Sequence, residues 1–120
     1  MFSPAKTGYN GLMKLNEETI YRLLRTVPRG KVTTYKALAI ACGSRAYRYI
    51  GQVMRRNPDA PRTPCHRVVS STGKIGGFMG KQSGERIARK EELLRREGVT
   101  VKDHRIVDFR NICVTSFAKT

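Results

Sequence analysis

Cys65 and His66 are the residues whose types and spacing best fit covalent chemistry. They lie in residues 64–69 (PCHRVV, below called the hexapeptide), which place one thiol beside one imidazole, after a proline and before a β-branched pair. A thiolate is a strong nucleophile, and a neighbouring base is the usual means of generating one near neutral pH. The hexapeptide therefore predicts a nucleophilic cysteine that a histidine activates.

The charge of the chain indicates what such a nucleophile would act on. Its 120 residues include 24 Lys and Arg against 9 Asp and Glu, a formal net charge of +15. This charge favours a polyanionic partner, with nucleic acid as the first candidate; an anionic membrane surface and a merely solvated face are the alternatives. The apolar runs are too short to cross a bilayer, and residues 1–14 lack a signal-type apolar stretch. We expect an intracellular protein that acts on nucleic acid and does not enter the membrane.

The cysteines do not have the spacing of a metal or disulfide framework. Cys42, Cys65 and Cys113 are far apart, no CxxC pair occurs, and the only histidines are His66 and His104. Structural zinc sites and disulfide frameworks use closer pairs. We expect no metal or other cofactor, a reducing compartment, and packing roles for Cys42 and Cys113.

The length of the chain predicts a single domain that positions the hexapeptide. Residues 1–14 are predicted to be a flexible N-terminal arm, followed by one folded domain over residues 15–120. Residues 84–97 predict a last helix that ends at Gly98, and residues 99–109 can supply one or two strands. The final residues are expected to be frayed.

Three short helices are predicted ahead of the hexapeptide. Asn16 fits the N-cap of the first, which Pro28 and Gly30 end, and either Thr33 or Thr34 fits the N-cap of the second. The second and third helices, joined by a glycine-containing turn, have the pattern of a helix-turn-helix. The predicted fold class is therefore mainly α with short β segments, a single winged-helix-like helix-turn-helix domain that binds DNA.

The third helix has an apolar and a basic face. Ser44 is its predicted N-cap, and it extends over residues 45–56. Its apolar positions are Ala46, Ile50, Val53 and Met54. The basic face consists of Arg45, Arg48, Gln52, Arg55 and Arg56. No acid lies on that face, whereas solvated helices usually mix both signs, so we expect it to contact DNA. Gly51 on its flank fits either close approach of DNA or a tight helix crossing.

The hexapeptide is one of five segments that together resemble a known family. In order along the chain they are residues 30–35 (GKVTTY), 48–58 (RYIGQVMRRNP), 64–69 (PCHRVV), 73–78 (GKIGGF) and 93–98 (LLRREG). These segments resemble the active-site domain of the O6-alkylguanine-DNA alkyltransferases, and the resemblance spans most of the chain. Residues 70–73 (SSTG) and 76–77 (GG) flank a short extended piece and are predicted to form a flexible loop.

The resemblance implies a DNA repair protein that is consumed by its own reaction. Such a protein binds double-stranded DNA in the minor groove as a monomer and flips an O6-alkylguanine out of the duplex. It then transfers the alkyl group irreversibly to its own cysteine, without metal or cofactor. This activity is that of a methylated-DNA–protein-cysteine S-methyltransferase acting in a single turnover.

The resemblance also implies roles for individual residues. Cys65 would accept the alkyl group, His66 would take its proton through a water, and Glu97 would orient the imidazole. Tyr35 would donate a hydrogen bond to the departing guanine, and Asn57 would be a hinge. The remaining predicted contacts with base or DNA are Arg45, Arg48, Gly51, Gln52, Arg55, Arg56, Val68, Phe78 and Met79.

Three of these contacts have a specific implied task. Arg48 would fill the space left by the flipped base, and the carbonyl of Val68 would accept from the exocyclic amine of guanine. The backbone at Met79 would donate to O6. Met79 departs from the family pattern, in which serine is common, and the loop after Phe78 is longer than in compact members.

Two other classes of protein share part of this pattern. Alkyltransferase-like proteins have the same domain and arginine, bind alkylated guanine without chemistry and recruit other repair factors. They typically have tryptophan where this chain has Cys65, so chemistry is favoured here. A sequence-reading regulator would explain the basic face but would leave Cys65 and Tyr35 without a role. The chain can equally be one domain of a larger repair fusion.

Overall fold

A computed structural model of the chain describes residues 15–75 and 84–117. The helices are α1 (Glu17–Arg25), α2 (Tyr35–Ala41), α3 (Tyr47–Arg55), α4 (Gly84–Arg96) and α5 (Phe109–Ile112). The strands are β1 (Thr33–Thr34), β2 (Val68–Val69), β3 (Val101–Lys102) and β4 (Arg105–Ile106), and a 3-10 turn spans Cys65–Arg67. The predicted mainly helical fold class is confirmed. The N-terminal arm, Phe78 and Met79 lie outside the described residues.

Two short sheets connect the helices. β1 and β2 pair in parallel, with Thr33 opposite Val68, and β3 and β4 form an antiparallel hairpin. Asp103 and His104 at the tip of the hairpin both have positive φ, the geometry that a two-residue turn requires to match strand twist. No helix in the described ranges is long and apolar enough to cross a membrane.

The parallel pair separates two hydrophobic clusters. The first cluster packs α1, α2 and α3 against Cys65 and Val68, and the second packs α4 and the hairpin against Val69. Adjacent strand residues face opposite ways, which explains why Val68 and Val69 are both fully buried but in different clusters. The hexapeptide therefore ends between the two halves of the core.

The helix starts agree with the predicted caps in two cases out of three. Asn16 Oδ1 accepts the Thr19 amide at 2.8 Å, and of the two candidates it is Thr34 that caps α2. The start of α3 was predicted two residues too early. Ser44 Oγ accepts the amide of Ala46 at 2.9 Å, which closes a local turn instead of capping the helix, and leaves Arg45 outside α3.

The described chain is held in place up to Phe117, and the final residues 118–120, which are expected to be frayed, lie outside the described residues. The Val32 amide donates to the carbonyl of Ile112 at 2.9 Å, and the Val114 amide donates back to Val32 at 2.7 Å. The Thr33 hydroxyl donates to the Val114 carbonyl at 2.6 Å, and Phe117 packs against the first cluster. This segment adds a bridge on the free side of β1, a long-range pairing that no local pattern reveals.

The stretch after the hexapeptide is a defined turn as far as Ile75, and the predicted flexible loop is wrong there. The Gly73 amide donates to the Ser70 carbonyl at 2.9 Å. Gly73 has φ of +85°, and a Cβ there would lie 3.1 Å from the Phe109 ring, so glycine is required. Ile75 is fully buried in the second cluster. The glycines at 76–77 lie outside the described residues.

Candidate functional site

Cys65 and Tyr35 come together because of the parallel strand pair. Cys65 opens the 3-10 turn that leads into β2, and Tyr35 is the first residue of α2, directly after β1. Cys65 is only 7% exposed and belongs to the first cluster, against which Tyr35 packs. The predicted nucleophile is therefore a buried thiol beside a buried phenol.

The Tyr35 hydroxyl is a buried hydrogen-bond donor. Burial raises the pKa of Tyr35 far above its usual value, and the neighbouring Cys65 raises it further, so the phenol stays protonated. Within the described ranges its oxygen has no hydrogen-bond partner. A buried polar group without a partner costs about 1–3 kcal/mol, which an incoming acceptor would recover. This geometry suits the predicted donation to a bound base.

His66 is held by Glu97 through one ring nitrogen. Its Nε2 lies 2.9 Å from Glu97 Oε2, and both side chains are more than nine-tenths buried. An ionised Glu97 accepts the Nε2–H, which leaves the lone pair on Nδ1. Nδ1 is buried and has no partner among the described residues. Burial lowers the pKa of His66, and Glu97 offsets this only in part, so the imidazole is a neutral base at neutral pH.

Arg67 completes the Glu97 site, a role that the sequence alone does not assign. Its Nε donates to Glu97 Oε1 at 2.8 Å and its NH2 to Oε2 at 2.6 Å, while NH1 donates to the Val27 carbonyl at 2.7 Å. Burial alone would raise the pKa of Glu97, but hydrogen bonds from Arg67 and His66 outweigh it and the pKa is lowered. Glu97 is therefore ionised and fixed by a two-pronged arginine contact.

Lys90 is a second functional candidate that sequence reasoning missed. The residue is 2% exposed, and its Nζ donates to the carbonyl of Val68 at 2.6 Å and lies 5.8 Å from the centre of the Tyr35 ring. Burial lowers its pKa to about 7, against the opposing influence of Cys65. A signal was present in the sequence, because Lys90 falls on the same helix stripe as Ile87 and Leu94.

Asn57 joins the end of α3 to the cysteine. Its Nδ2 donates to the Thr63 carbonyl at 2.7 Å, and its Oδ1 accepts the amide of Asp59 at 2.9 Å. The Cys65 amide donates to the same Thr63 carbonyl at 2.9 Å. The predicted hinge residue and the predicted nucleophile thus share one acceptor, and the role of Asn57 in the reaction stays a prediction.

The basic face is exposed for most of its length. Arg45, Arg48, Gln52 and Arg55 are all exposed, and Tyr47 beside them is 41% exposed. Arg56 is different, because its NH2 lies 2.8 Å from Glu17 Oε2 in an ion pair with α1. A Cβ built on Gly51 would meet nothing within 4 Å, so the tight helix crossing is wrong and open space flanks the face.

The described residues contain no group of three or more His, Cys, Asp or Glu side chains placed to hold a metal ion. Cys42 is buried in the first cluster and Cys113 packs against the second. Both are free thiols. Their predicted packing role is confirmed.

Comparison with known proteins gives a consistent match. Residues 16–99 match the family model described as 6-O-methylguanine DNA methyltransferase, DNA binding domain. The chain is 40% identical over 82 residues to the methylated-DNA–protein-cysteine methyltransferase of Homo sapiens, covering 68% of this chain and 37% of the relative. The chain spans 28% to 40% of the length of this and three other curated relatives.

Two solved structures resemble the fold. The O6-methylguanine-DNA methyltransferase of Pyrococcus kodakaraensis has a TM-score of 0.57 and 39% identity, covering 69% of this chain and 46% of that one. S. pombe Atl1, solved with damaged DNA containing O6-carboxymethylguanine, has a TM-score of 0.68 and 26% identity. That match covers 83% of this chain and 94% of Atl1.

Proposed function

The chain belongs to the 6-O-methylguanine DNA methyltransferase family, as its DNA-binding domain, and from this premise we propose that it repairs O6-alkylguanine in double-stranded DNA by irreversible transfer of the alkyl group to Cys65. One observation carries the proposal. The buried Cys65 is followed by His66, whose Nε2 is held by Glu97 at 2.9 Å and whose Nδ1 has no partner in the described part of the chain. This arrangement suits a base that takes a proton from a thiol.

The reaction is a single displacement. His66 Nδ1 accepts the proton of Cys65 through a water, and the thiolate attacks the alkyl carbon. The S–C bond forms as the bond from that carbon to guanine O6 breaks, and the electron pair leaves with guanine. Tyr35 donates a hydrogen bond to the base as this charge develops. Guanine ends with the proton that Cys65 lost, and the thioether is not reopened, so each molecule reacts once.

The basic face supplies the DNA contacts in this proposal. Arg45 and Arg55 neutralise phosphates, Arg48 enters the base stack where the guanine has left, and the open space at Gly51 lets the backbone come close. Phosphate contacts position a protein without reading sequence, which suits repair at any site. Flipping costs a few kcal/mol, least for a damaged base, and therefore adds selectivity.

Intact mass measurement tests the transfer directly. After incubation with a duplex containing O6-methylguanine, the protein should gain about 14 Da at Cys65, one methyl in place of one hydrogen. Cys65→Ser should gain nothing, and Cys113→Ser, which removes a thiol outside the site, should gain the same mass as the wild type. A wild-type mass that stays constant although the duplex is bound would contradict the proposal.

A second candidate function is favoured by the match to S. pombe Atl1, which the chain covers almost completely. In this alternative the protein binds alkylated guanine without chemistry and recruits other repair factors. Cys65 and His66 argue for chemistry, because binding alone requires neither a thiol nor a base. Retained binding of the lesion without any mass gain would favour this alternative.

The basic face yields a separate prediction. Arg55→Ala should weaken binding to every DNA sequence alike and reduce the slope of log Kd against log salt by about 0.9, the contribution of one phosphate contact. Fluorescence anisotropy at several salt concentrations measures this slope. Arg89→Ala on α4, an exposed arginine off the face, should leave the slope unchanged. Equal slopes for Arg55→Ala and the wild type would remove Arg55 from the DNA contacts.

A further inference from the structure

Thr63, two residues before Cys65, forms hydrogen bonds through its hydroxyl, its amide and its carbonyl. It is fully buried. Its hydroxyl accepts from Arg25 Nε at 2.9 Å and lies 3.1 Å from Asp59 Oδ2, to which it donates. Its amide donates to the Asp59 carbonyl at 2.9 Å. The side chain is therefore held from two sides, by α1 and by the connection after α3.

The carbonyl of Thr63 transmits this arrangement to the reacting residue. It accepts from Asn57 Nδ2 at 2.7 Å and from the Cys65 amide at 2.9 Å. Pro64 between them has a restricted φ, so little freedom remains between the Thr63 peptide and Cys65. The Thr63 carbonyl is thus bonded directly to the backbone of the residue that opens the 3-10 turn.

We propose that Thr63 is a positioning residue for Cys65, with Arg25 and Asp59 holding its hydroxyl and its carbonyl holding the cysteine amide. The proposal rests on the proposed alkyl transfer and adds to it a residue that touches neither base nor thiol. Displacement needs sulfur, carbon and oxygen nearly in line, and a misplacement of about 1 Å can cost about 100-fold in rate. Fixing the turn from α1 keeps the buried thiol aligned with a base that enters from outside.

Thr63→Val removes the hydroxyl at nearly constant volume and is the direct test. Single-turnover transfer from an O6-methylguanine duplex should be about tenfold slower, since part of the alignment is lost. Thr63→Ser keeps the hydroxyl and should transfer at the wild-type rate. Arg25→Met removes the hydrogen bond from Arg25 Nε to the Thr63 hydroxyl and should also slow transfer. This variant keeps the test valid if Thr63→Val folds poorly. Duplex affinity should be unchanged in all three.

A second readout does not depend on transfer. Hydrogen exchange of the Cys65 amide should be faster in Thr63→Val than in Thr63→Ser, because the acceptor carbonyl is less well held. Thr33→Val is the matched control: Thr33 is also fully buried, but its hydroxyl bonds the Val114 carbonyl, so exchange at Cys65 should not change.

The outcomes separate the two proposals. If the wild type shows no transfer, the proposed function fails, and exchange at Cys65 alone decides the role of Thr63. If Thr63→Val and Thr63→Ser match each other in transfer rate and exchange, the positioning role is overturned. Slower transfer in Thr63→Val with rescue by Thr63→Ser supports it.

Discussion

Glu97→Gln should lower the free energy of unfolding by roughly 3–5 kcal/mol, the cost of breaking a buried ion pair from one side. It should also slow alkyl transfer about 100-fold or more, since positioned acid–base groups contribute about that much. Glu97 accepts three hydrogen bonds, one from His66 and two from Arg67. The amide of glutamine offers one acceptor and one donor group, so it cannot accept from both partners with the same geometry. Either the partly buried guanidinium of Arg67 loses an acceptor, or the tautomer of His66 is no longer fixed.

At acidic pH, the difference in the free energy of unfolding between the wild type and Glu97→Gln should disappear. The pKa of Glu97 is lower in the folded chain than in the unfolded chain, where it is near 4.5. The ionised carboxylate therefore stabilises the fold above pH 4.5, and this stabilisation is lost as the pH falls through the folded-state pKa. Wild type and Glu97→Gln should therefore converge on acidification. Denaturant unfolding from neutral pH downward measures this convergence. Glu92→Gln, on α4 and half exposed, should change stability by less than about 1 kcal/mol. A constant gap between wild type and Glu97→Gln would show that the ion pair is not its source.

The parts of the site that sequence predicts are those set by local chemistry. Cys65 and His66 are adjacent, and Asn16 and Thr34 each cap a helix through an amide three residues ahead. Ser44 shows how the same reasoning fails, because a short polar side chain can close a turn two residues ahead as readily as it caps a helix. Local patterns therefore locate elements well and their ends less well.

The parts that sequence does not predict depend on contacts between distant residues. Glu97 lies 31 residues from His66, and only the family resemblance connects them. The parallel pair of β1 and β2 joins distant residues, Thr33 with Val68, whereas the hairpin of β3 and β4 lies within residues 99–109, where the sequence predicts one or two strands. Propensity is weak over so few residues. Lys90 is a signal that the sequence does contain. A lysine on an apolar helix stripe either extends its ammonium group to solvent or buries it, and a buried ammonium group points to a function.

Two of the many cations of this chain are directed toward its interior and not toward solvent. Within residues 15–75 and 84–117 most cations whose side chains are described are exposed, but Arg67 and Lys90 point inward, one fixed on Glu97 and the other on the Val68 carbonyl. Burying a charge is costly, so the presence of the buried Lys90 beside Cys65 favours a functional over a stabilising role.

Lys90→Met should slow alkyl transfer about 100-fold near pH 7, comparable to removing one electrostatic donor from a buried reaction site. Lys90 lies within electrostatic reach of Cys65, and it also helps to fix the Val68 carbonyl that we expect to accept from guanine. Lys102→Met, an exposed lysine on β3, is the control for the loss of one positive charge and should transfer normally. Transfer by Lys90→Met at the wild-type rate would exclude a role for this ammonium group.

Stability provides an independent signature of the same buried lysine. Its pKa falls from 10.5 to about 7 on folding, so between these values the unfolded chain binds a proton that the folded chain does not. The wild type should therefore gain stability from this group as pH rises through that interval, and Lys90→Met should not. The stability of Lys90→Met relative to the wild type should be most favourable near pH 7 and should decline toward pH 10. If the stability difference between Lys90→Met and the wild type does not change between pH 7 and pH 10, the folded chain does not hold Lys90 neutral in this interval.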